Sequence, residues 1–267
     1  MVTPSSSGTG SPRVRAALAC LSILVAGRPL AAADGALDAS FNGSGRATVA
    51  VGPVAVGEAT LAQSDGKLLI AGRSEQPTAS DPDNVAFVIA RRNADGSPDA
   101  TFGPQHDGKI TVDFDLGEPG QRADVATAIA LQSDGKVVVA GYATAGLFER
   151  HLAAARLTPF GTLDPTFGGG DGKVTYAVTG SDSASLTVDV LVRRGGGIVL
   201  TPVNVHEDNA LLRLQDNGDL DPSFGSGGRS ESWSCCGAYL RSLEMPDGKL
   251  LTLGTDSSGL VLSLIHI

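Results

Sequence analysis

The sequence predicts an all-β chain of tandem four-stranded units, arranged like the blades of a β-propeller. Three observations carry that reading. One short motif is written four times: "LDASFN" (37–42), "PDATFG" (98–103), "LDPTFG" (163–168) and "LDPSFG" (220–225). Further signals recur between the copies in a fixed order, which is the mark of a repeat architecture. Beyond the N-terminal segment, no stretch shows the i, i+3, i+4 apolar spacing of an amphipathic helix. The phenylalanines of the motif, Phe41, Phe102, Phe167 and Phe224, set steps of 61, 65 and 57 residues.

The elements follow in order. A glycine and a cation introduce a first strand in "SGRATVAV" (44–51), "DGKITVDF" (107–114), "DGKVTYAV" (171–178) and the weaker "GGRSESW" (227–233). Strands two and three form a hairpin, written "LAQSDGKLLIAG" (61–72), "LQSDGKVVVAG" (131–141) and "MPDGKLLTLG" (245–254). The turn residues are Asp65 and Gly66, Asp134 and Gly135, and Asp247 and Gly248. Asp-Gly between strand-like runs is a strong hairpin signal, read here as a turn with both central residues at positive φ. In the third unit "RRGGGIVL" (193–200) takes this place, with glycines alone. A fourth strand ends at Arg in "VAFVIARR" (85–92), "LAAARL" (152–157) and "ALLRL" (210–214). A glycine turn, "NADGS", "TPFGT" or "QDNGD", leads back to the motif. All five lysines follow an Asp-Gly pair. The stretch "RSEQPTASDPDN" (73–84) reads as a roomy loop before the Arg strand.

Four-stranded units repeated in tandem fit a propeller. A β-solenoid would use coils of roughly 20–30 residues. A β-sandwich would not repeat the same cues in order. The units run approximately 37–102, 103–167, 168–224 and 225–261, so the array has about four blades with the last incomplete, as an open or partial propeller. The motif phenylalanines read as blade-to-blade core, each worth roughly 2–3 kcal/mol when buried. Asp38, Asp99, Asp164 and Asp221 read as turn residues that bond backbone N–H groups. Arg91, Arg156 and Arg213 read as their ion-pair partners. One residue type in every unit argues for structure over catalysis, because an active site needs one asymmetric constellation.

Residues 1–33 read as a secretory signal. Arg13 and Arg15 precede an apolar run of twelve (16–27), and "AAA" at 31–33 offers a cleavage site before Asp34. The run is short for a membrane span, the competing reading being an N-terminal anchor. The expected location is secreted, periplasmic or cell-surface. Without the three arginines of that segment, 17 basic residues face 29 acidic ones. That balance argues against nucleic acid as a partner. The visible mature chain shows no transmembrane span, and glycans or cell-envelope proteins are the partners such an exported scaffold would meet. Cys235 and Cys236 are adjacent and build no disulfide framework; a vicinal disulfide and two free thiols stay open.

No cofactor is expected. "DPDN" (81–84) and "DNGDLD" (216–221) offer oxygen ligands for Ca²⁺, but neither completes an EF-hand loop, so solvated turns are the expectation. His106, His151 and His206 fall in three different units. No nucleophile elbow, phosphate loop or dinucleotide fingerprint stands in its strand–helix context.

The combined string "LDPTFG", "LQSDGKVVVAG", "AARL" and "GTLD" resembles the delta-60 repeat, a bacterial β-propeller domain of unknown function. The resemblance covers about 37–261 in four copies. It departs at the hairpin 193–197, which lacks Asp-Gly, and at the poor first strand 229–234. It implies an exported, often surface-associated bacterial protein with no established activity, and it carries over no catalytic residue. By analogy with "ALLRL", an Arg is expected near 262 or 263. The chain instead reads "LSLIHI", a hexapeptide like a translated sequencing adapter, so 262–267 is expected to be a non-native tail. Two function classes follow: a non-enzymatic structural or binding scaffold, and a secreted propeller hydrolase or lyase acting on polysaccharide.

Overall fold

The computed structural model describes residues 35–146, 149–177, 187–203, 210–230, 238–256 and 259–266. Residues 1–33, read above as a secretory signal, the loop holding His206, and Cys235 and Cys236 lie outside the described residues. The chain divides into two compact units, Met1–Leu37, of which 35–37 are described, and Asp38–Ile267.

The second unit is all-β. Its strands are β1 (Ala55–Ala62), β2 (Leu68–Glu75), β3 (Val85–Arg92), β4 (Lys109–Val112), β5 (Val125–Leu131), β6 (Val137–Gly146), β7 (Glu149–Leu157), β8 (Lys173–Ala177), β9 (Thr187–Val192), β10 (Ile198–Val203), β11 (Leu212–Leu214), β12 (Ala238–Glu244), β13 (Leu250–Asp256) and β14 (Gly259–Ile265). They form four antiparallel meanders: β1–β4, β5–β8, β9–β11 and β12–β14. Each strand hydrogen-bonds its sequence neighbour, and the row of sheets is not closed.

The phase of the repeat differs from the expected one. Strands after a Gly-cation, β4 and β8, are the last strand of the sheet begun by the preceding hairpin. The hairpin therefore supplies the first two strands and the Arg strand the third. Unit boundaries at 102 and 167 cut through sheets. The physical reason is local: the Asp-x-x-Phe loop crosses directly from third to fourth strand, tied by Asp99 N to Arg91 O (3.2 Å) and by Arg91 N to Gly108 O (2.8 Å). Residues 44–51, expected as a strand, are not one. In the third sheet the fourth strand is reduced, among the described residues, to a bridge from Leu212 to Arg229. The insert shortens to 76–84, because β2 runs on to Glu75.

The hairpins also differ from the two-residue turn with paired positive φ. Gln63 N bonds Lys67 O and Gly66 N bonds Gln63 O. Gly66 alone takes positive φ, while Asp65 accepts the Lys67 N–H at 3.1 Å. This is the three-residue loop closed by a left-handed glycine. Residues 132–136, 193–197 and 245–249 repeat its hydrogen bonds, as do the connecting turns 93–97, 158–162 and 215–219.

The core lies between sheets. Leu69, Phe87, Ile89 and Ile110 of the first sheet meet Ala126, Val137, Val139 and Ala155 of the second. The other face of the second sheet, with Val138, Leu152 and Ala154, meets Val190, Ile198, Leu200 and Leu212 of the third. Middle strands are therefore apolar on both faces, and the alanine-rich β7 (ERHLAAARL) is buried throughout its C-terminal half. The contact of the third and fourth sheets is smaller. It holds Val199, Leu211, Phe224 and Leu250, with the hydroxyls of Thr201 and Ser242 3.0 Å apart beside them.

Candidate functional site

The charged side chains singled out by the repeat converge on one arrangement, made three times. Arg91 Nε donates to Asp99 Oδ2 at 2.7 Å, Arg156 Nε to Asp164 Oδ2 at 2.8 Å, and Arg213 Nε to Asp221 Oδ2 at 2.9 Å. The guanidinium lies over the ring of Phe102, Phe167 or Phe224, 4.6–4.8 Å from its centre. Cation–π attraction and the ion pair therefore act on the same group. Its second amino group reaches the hydroxyl two residues after the Asp: Thr101, Thr166 or Ser223. That hydroxyl and its own N–H both donate to Asp Oδ1.

The first two knots also hold the next sheet. Arg91 Nη1 donates to Pro159 O at 2.7 Å, and Arg156 Nη1 to Asp216 O at 2.5 Å and Asp216 Oδ1 at 2.8 Å. Gly103 N and Gly168 N bond Phe160 O and Asn217 O in the same turns. The turn glycine sits flat on the phenylalanine of the preceding sheet. A Cβ on Gly161 would stand 2.7 Å from the Phe102 ring, and one on Gly218 would stand 2.9 Å from Phe167.

Sequence reasoning missed the lysines. Lys67 and Lys136, just after the hairpin turns, lie 3.1 and 3.3 Å from the same Oδ2 atoms that the arginines bind. Gly197 stands at this place in the third hairpin, and the Asp221 side chain is 23% exposed where Asp99 and Asp164 are 4%. Lys249 instead pairs with Asp247 at 2.7 Å. The recurring Ser/Thr at Asp+2 and the Lys after each Asp-Gly were the available signals. Asp38 and Phe41 make the loop without an Arg; Asp38 accepts the Ser40 N–H at 2.9 Å. In the fourth sheet Leu264 pairs with Leu251 as Arg91 pairs with Leu69, so a leucine stands in the arginine's register.

The electrostatics follow from these contacts. Burial opposes ionisation of Asp164, but the Thr166 donors, Lys136 and Arg156 outweigh it and hold its pKa at about 2. Asp99 is likewise held well below the usual carboxylate range. Asp124 behaves oppositely. It is 1% exposed, and burial, helped by the charges of Asp113 and Asp115, pushes it up to about 7 against the Phe114 N–H.

A second polar region surrounds the insert. Asn84 Nδ2 donates to Asp113 Oδ2 at 2.7 Å, Gly120 N to Asp81 Oδ1 at 2.9 Å, and Arg122 Nη1 to Asp115 Oδ1 at 3.0 Å. A cleft of about 270 Å³ opens beside it, lined by Glu75, Gln76, Asn84 and Asp113 among others. Among the described residues no three acidic, His or Cys side chains converge as a metal site. In the proposed Ca²⁺ stretches Asp216 faces Arg156 and Asp221 faces Arg213. His151 pairs with Glu149 at 3.0 Å. Among the described residues no helix is long and apolar enough to cross a membrane.

A family model described as a domain of unknown function (DUF5122) β-propeller matches residues 63–102, 132–167 and 200–224. The three matches end on Phe102, Phe167 and Phe224, so each closes on a knot. Among solved structures, the chain is similar to a protein of unknown function from Bacteroides caccae, at 11% identity and a TM-score of 0.47. The alignment covers 80% of this chain and 61% of that one. No curated protein matches the sequence.

Proposed function

We propose that the chain is an exported scaffold of the delta-60 repeat kind that binds a glycan or a cell-envelope protein and catalyses no reaction. One observation supports this most: the recurring charges are spent inside the repeat. Asp99 and Asp164 each accept from an Arg, a Lys and a Ser/Thr, leaving little capacity to take a proton or bind a substrate. Asp124 has the raised pKa of a general acid, but at 1% exposure it is sealed from any substrate. The signal-like segment 1–33 supports export, and the acidic balance of the rest argues against a nucleic-acid partner.

The test is incubation of the purified chain with a panel of bacterial and plant polysaccharides and with envelope fractions. The scaffold reading expects retention on one of these without new reducing ends and without unsaturated uronate absorbance. Turnover of any of these substrates by the purified chain would overturn it.

A further inference from the structure

The insert of the first sheet breaks the repeat. Residues 76–84 join β2 to β3, where only 147–148 join β6 to β7 and only 257–258 join β13 to β14. A binding site needs an asymmetric constellation, and the insert supplies one.

Hydrogen bonds hold this loop in a fixed shape. Gln76 N bonds Asn84 O at 2.8 Å across its neck, and Thr78 N bonds Asp81 O at 2.9 Å inside it. Asp81 N in turn bonds Thr78 Oγ1 at 3.0 Å. Asp81 Oδ1 accepts from Gly120 N, which ties the loop to the segment entering β5. Gln76 Nε2 donates to Ser74 Oγ at 3.1 Å, and Ser74 Oγ donates to Val51 O at 2.6 Å. The segment entering β1 is thereby fastened to the same corner. The cleft beside the insert is lined only by residues between Gly52 and Asp113. The first sheet, its insert and the segment before β1 build it whole.

The lining states the chemistry it accepts. Its polar side chains are Glu75, Gln76, Thr78, Asn84, Thr111 and Asp113, and none is a lysine or arginine. Carboxylates beside amides and hydroxyls accept from and donate to a ligand's hydroxyl groups. The same two carboxylates repel an anion. Asn84 is 7% exposed. Its Nδ2 is spent on Asp113 Oδ2, while its Oδ1 is buried with no hydrogen-bond partner. A buried acceptor left unpaired is costly, and a hydroxyl donated from the cleft would pair it. Pro77 and Ala86 add apolar surface for the C–H face of a ring. The volume of about 270 Å³ falls just below the roughly 300–1,000 Å³ of sites for drug-sized ligands, and suits one sugar ring.

We propose that this cleft holds a sugar unit without acidic groups and is the place where the scaffold grips a neutral glycan. The inference rests on the glycan-binding reading above and adds to it the site and the charge class of the ligand. Glu75 and Asp113 accept ligand hydroxyls, Gln76 and Thr111 complete the contacts at the rim, and Asn84 Oδ1 takes the innermost hydroxyl.

The test is affinity gel electrophoresis of the full chain through gels containing galactomannan, hydroxyethyl cellulose, soluble starch or polygalacturonate. The parent should be retarded by at least one of the three neutral polysaccharides and not by polygalacturonate. Glu75 and Thr111 are exposed, so Glu75→Ala and Thr111→Arg should leave the thermal midpoint unchanged. Each should weaken the retardation roughly tenfold or more. Glu149→Ala, on the second sheet, should leave it intact. Retardation that both cleft variants retain overturns the site and leaves the scaffold reading standing. Retardation by polygalacturonate alone overturns the charge class and likewise spares that reading. A parent that no neutral polysaccharide retards overturns the inference, and the scaffold reading then falls as well unless envelope fractions retain the chain.

Discussion

Arg156 is the most buried charge in the molecule's described part, at 0% exposure, and all of its donors but one face the second sheet's own loop. Replacing it with Ala would leave Asp164 ionised beside Lys136 alone and strip the covering from Phe167. A loss of about 3–5 kcal/mol is expected, read as a shift of the urea midpoint at constant slope. Arg156→Lys should recover little of it, because an ammonium cannot bond Asp164, Thr166 and Asp216 from one plane. Asp124 carries a pH dependence of opposite origin. Its folded pKa of about 7 lies well above the ordinary aspartate value of about 3.9. Between these values the unfolded chain has released the proton and the folded chain still holds it. The stability contributed by protonated Asp124 is thus full below about pH 4 and is lost as pH rises through 7. The difference in urea midpoint between Asp124→Asn and the parent should move toward the variant over that window and stay flat above it. The knot's main contacts were legible in the sequence, since Asp, Phe and Arg recur at fixed spacing. The lysine was harder to read, because its partner lies on a loop about 30 residues further on, at a distance only the sheet's pairing reveals.

At the scale of the element, three first strands carry the same irregularity. Pairing shifts between Gly57 and Ala59, between Ala126 and Ala128, and between Tyr239 and Arg241. Each bulge lies opposite a glycine that ends a hairpin motif: Gly72, Gly141 or Gly254. The shift drives a carbonyl onto that glycine. A Cβ on Gly141 would stand 1.9 Å from Val125 O, and one on Gly72 2.0 Å from Val56 O. Gly141 is thus required by contact rather than by backbone angle. Gly141→Ala should destabilise the chain by about 1–3 kcal/mol or more, seen as a lower thermal midpoint. The third sheet confirms the coupling, since Pro202 holds the glycine's place and β9 pairs with β10 without a shift. The turns and strand order within a hairpin were readable from "SDGK" and its flanks. The phase was not. A motif repeated at even steps has no intrinsic beginning, and only the hydrogen bonds from Arg91 to Gly108 decide which strand closes which sheet.

At the scale of the molecule, the four sheets are linked in series, each contacting its neighbours through one interface. Phe167 lies at the centre of the interface between the second and third sheets, under the Gly218 turn. Phe167→Ala should cost about 3–5 kcal/mol, clearly more than Phe41→Ala, whose ring is half-buried in an open groove. Paired thermal melts of the two variants check the order. The fold class could be read from the tandem pattern, because a four-stranded unit buries its faces only against copies of itself. The knots also have a polarity: Arg91 and Arg156 reach forward, each gripping a turn of the sheet that follows. Among the described residues, the buried apolar set between the third and fourth sheets is Val199, Leu211, Phe224 and Leu250, beside the hydroxyls of Thr201, Ser242 and Thr252. Opening should therefore begin at the fourth sheet and travel backward, like a zip released from its last tooth. Amide protons of β13 should exchange with solvent first and those of β6 and β7 last, so the chain would come apart as a sequence of graded steps rather than a single cooperative event.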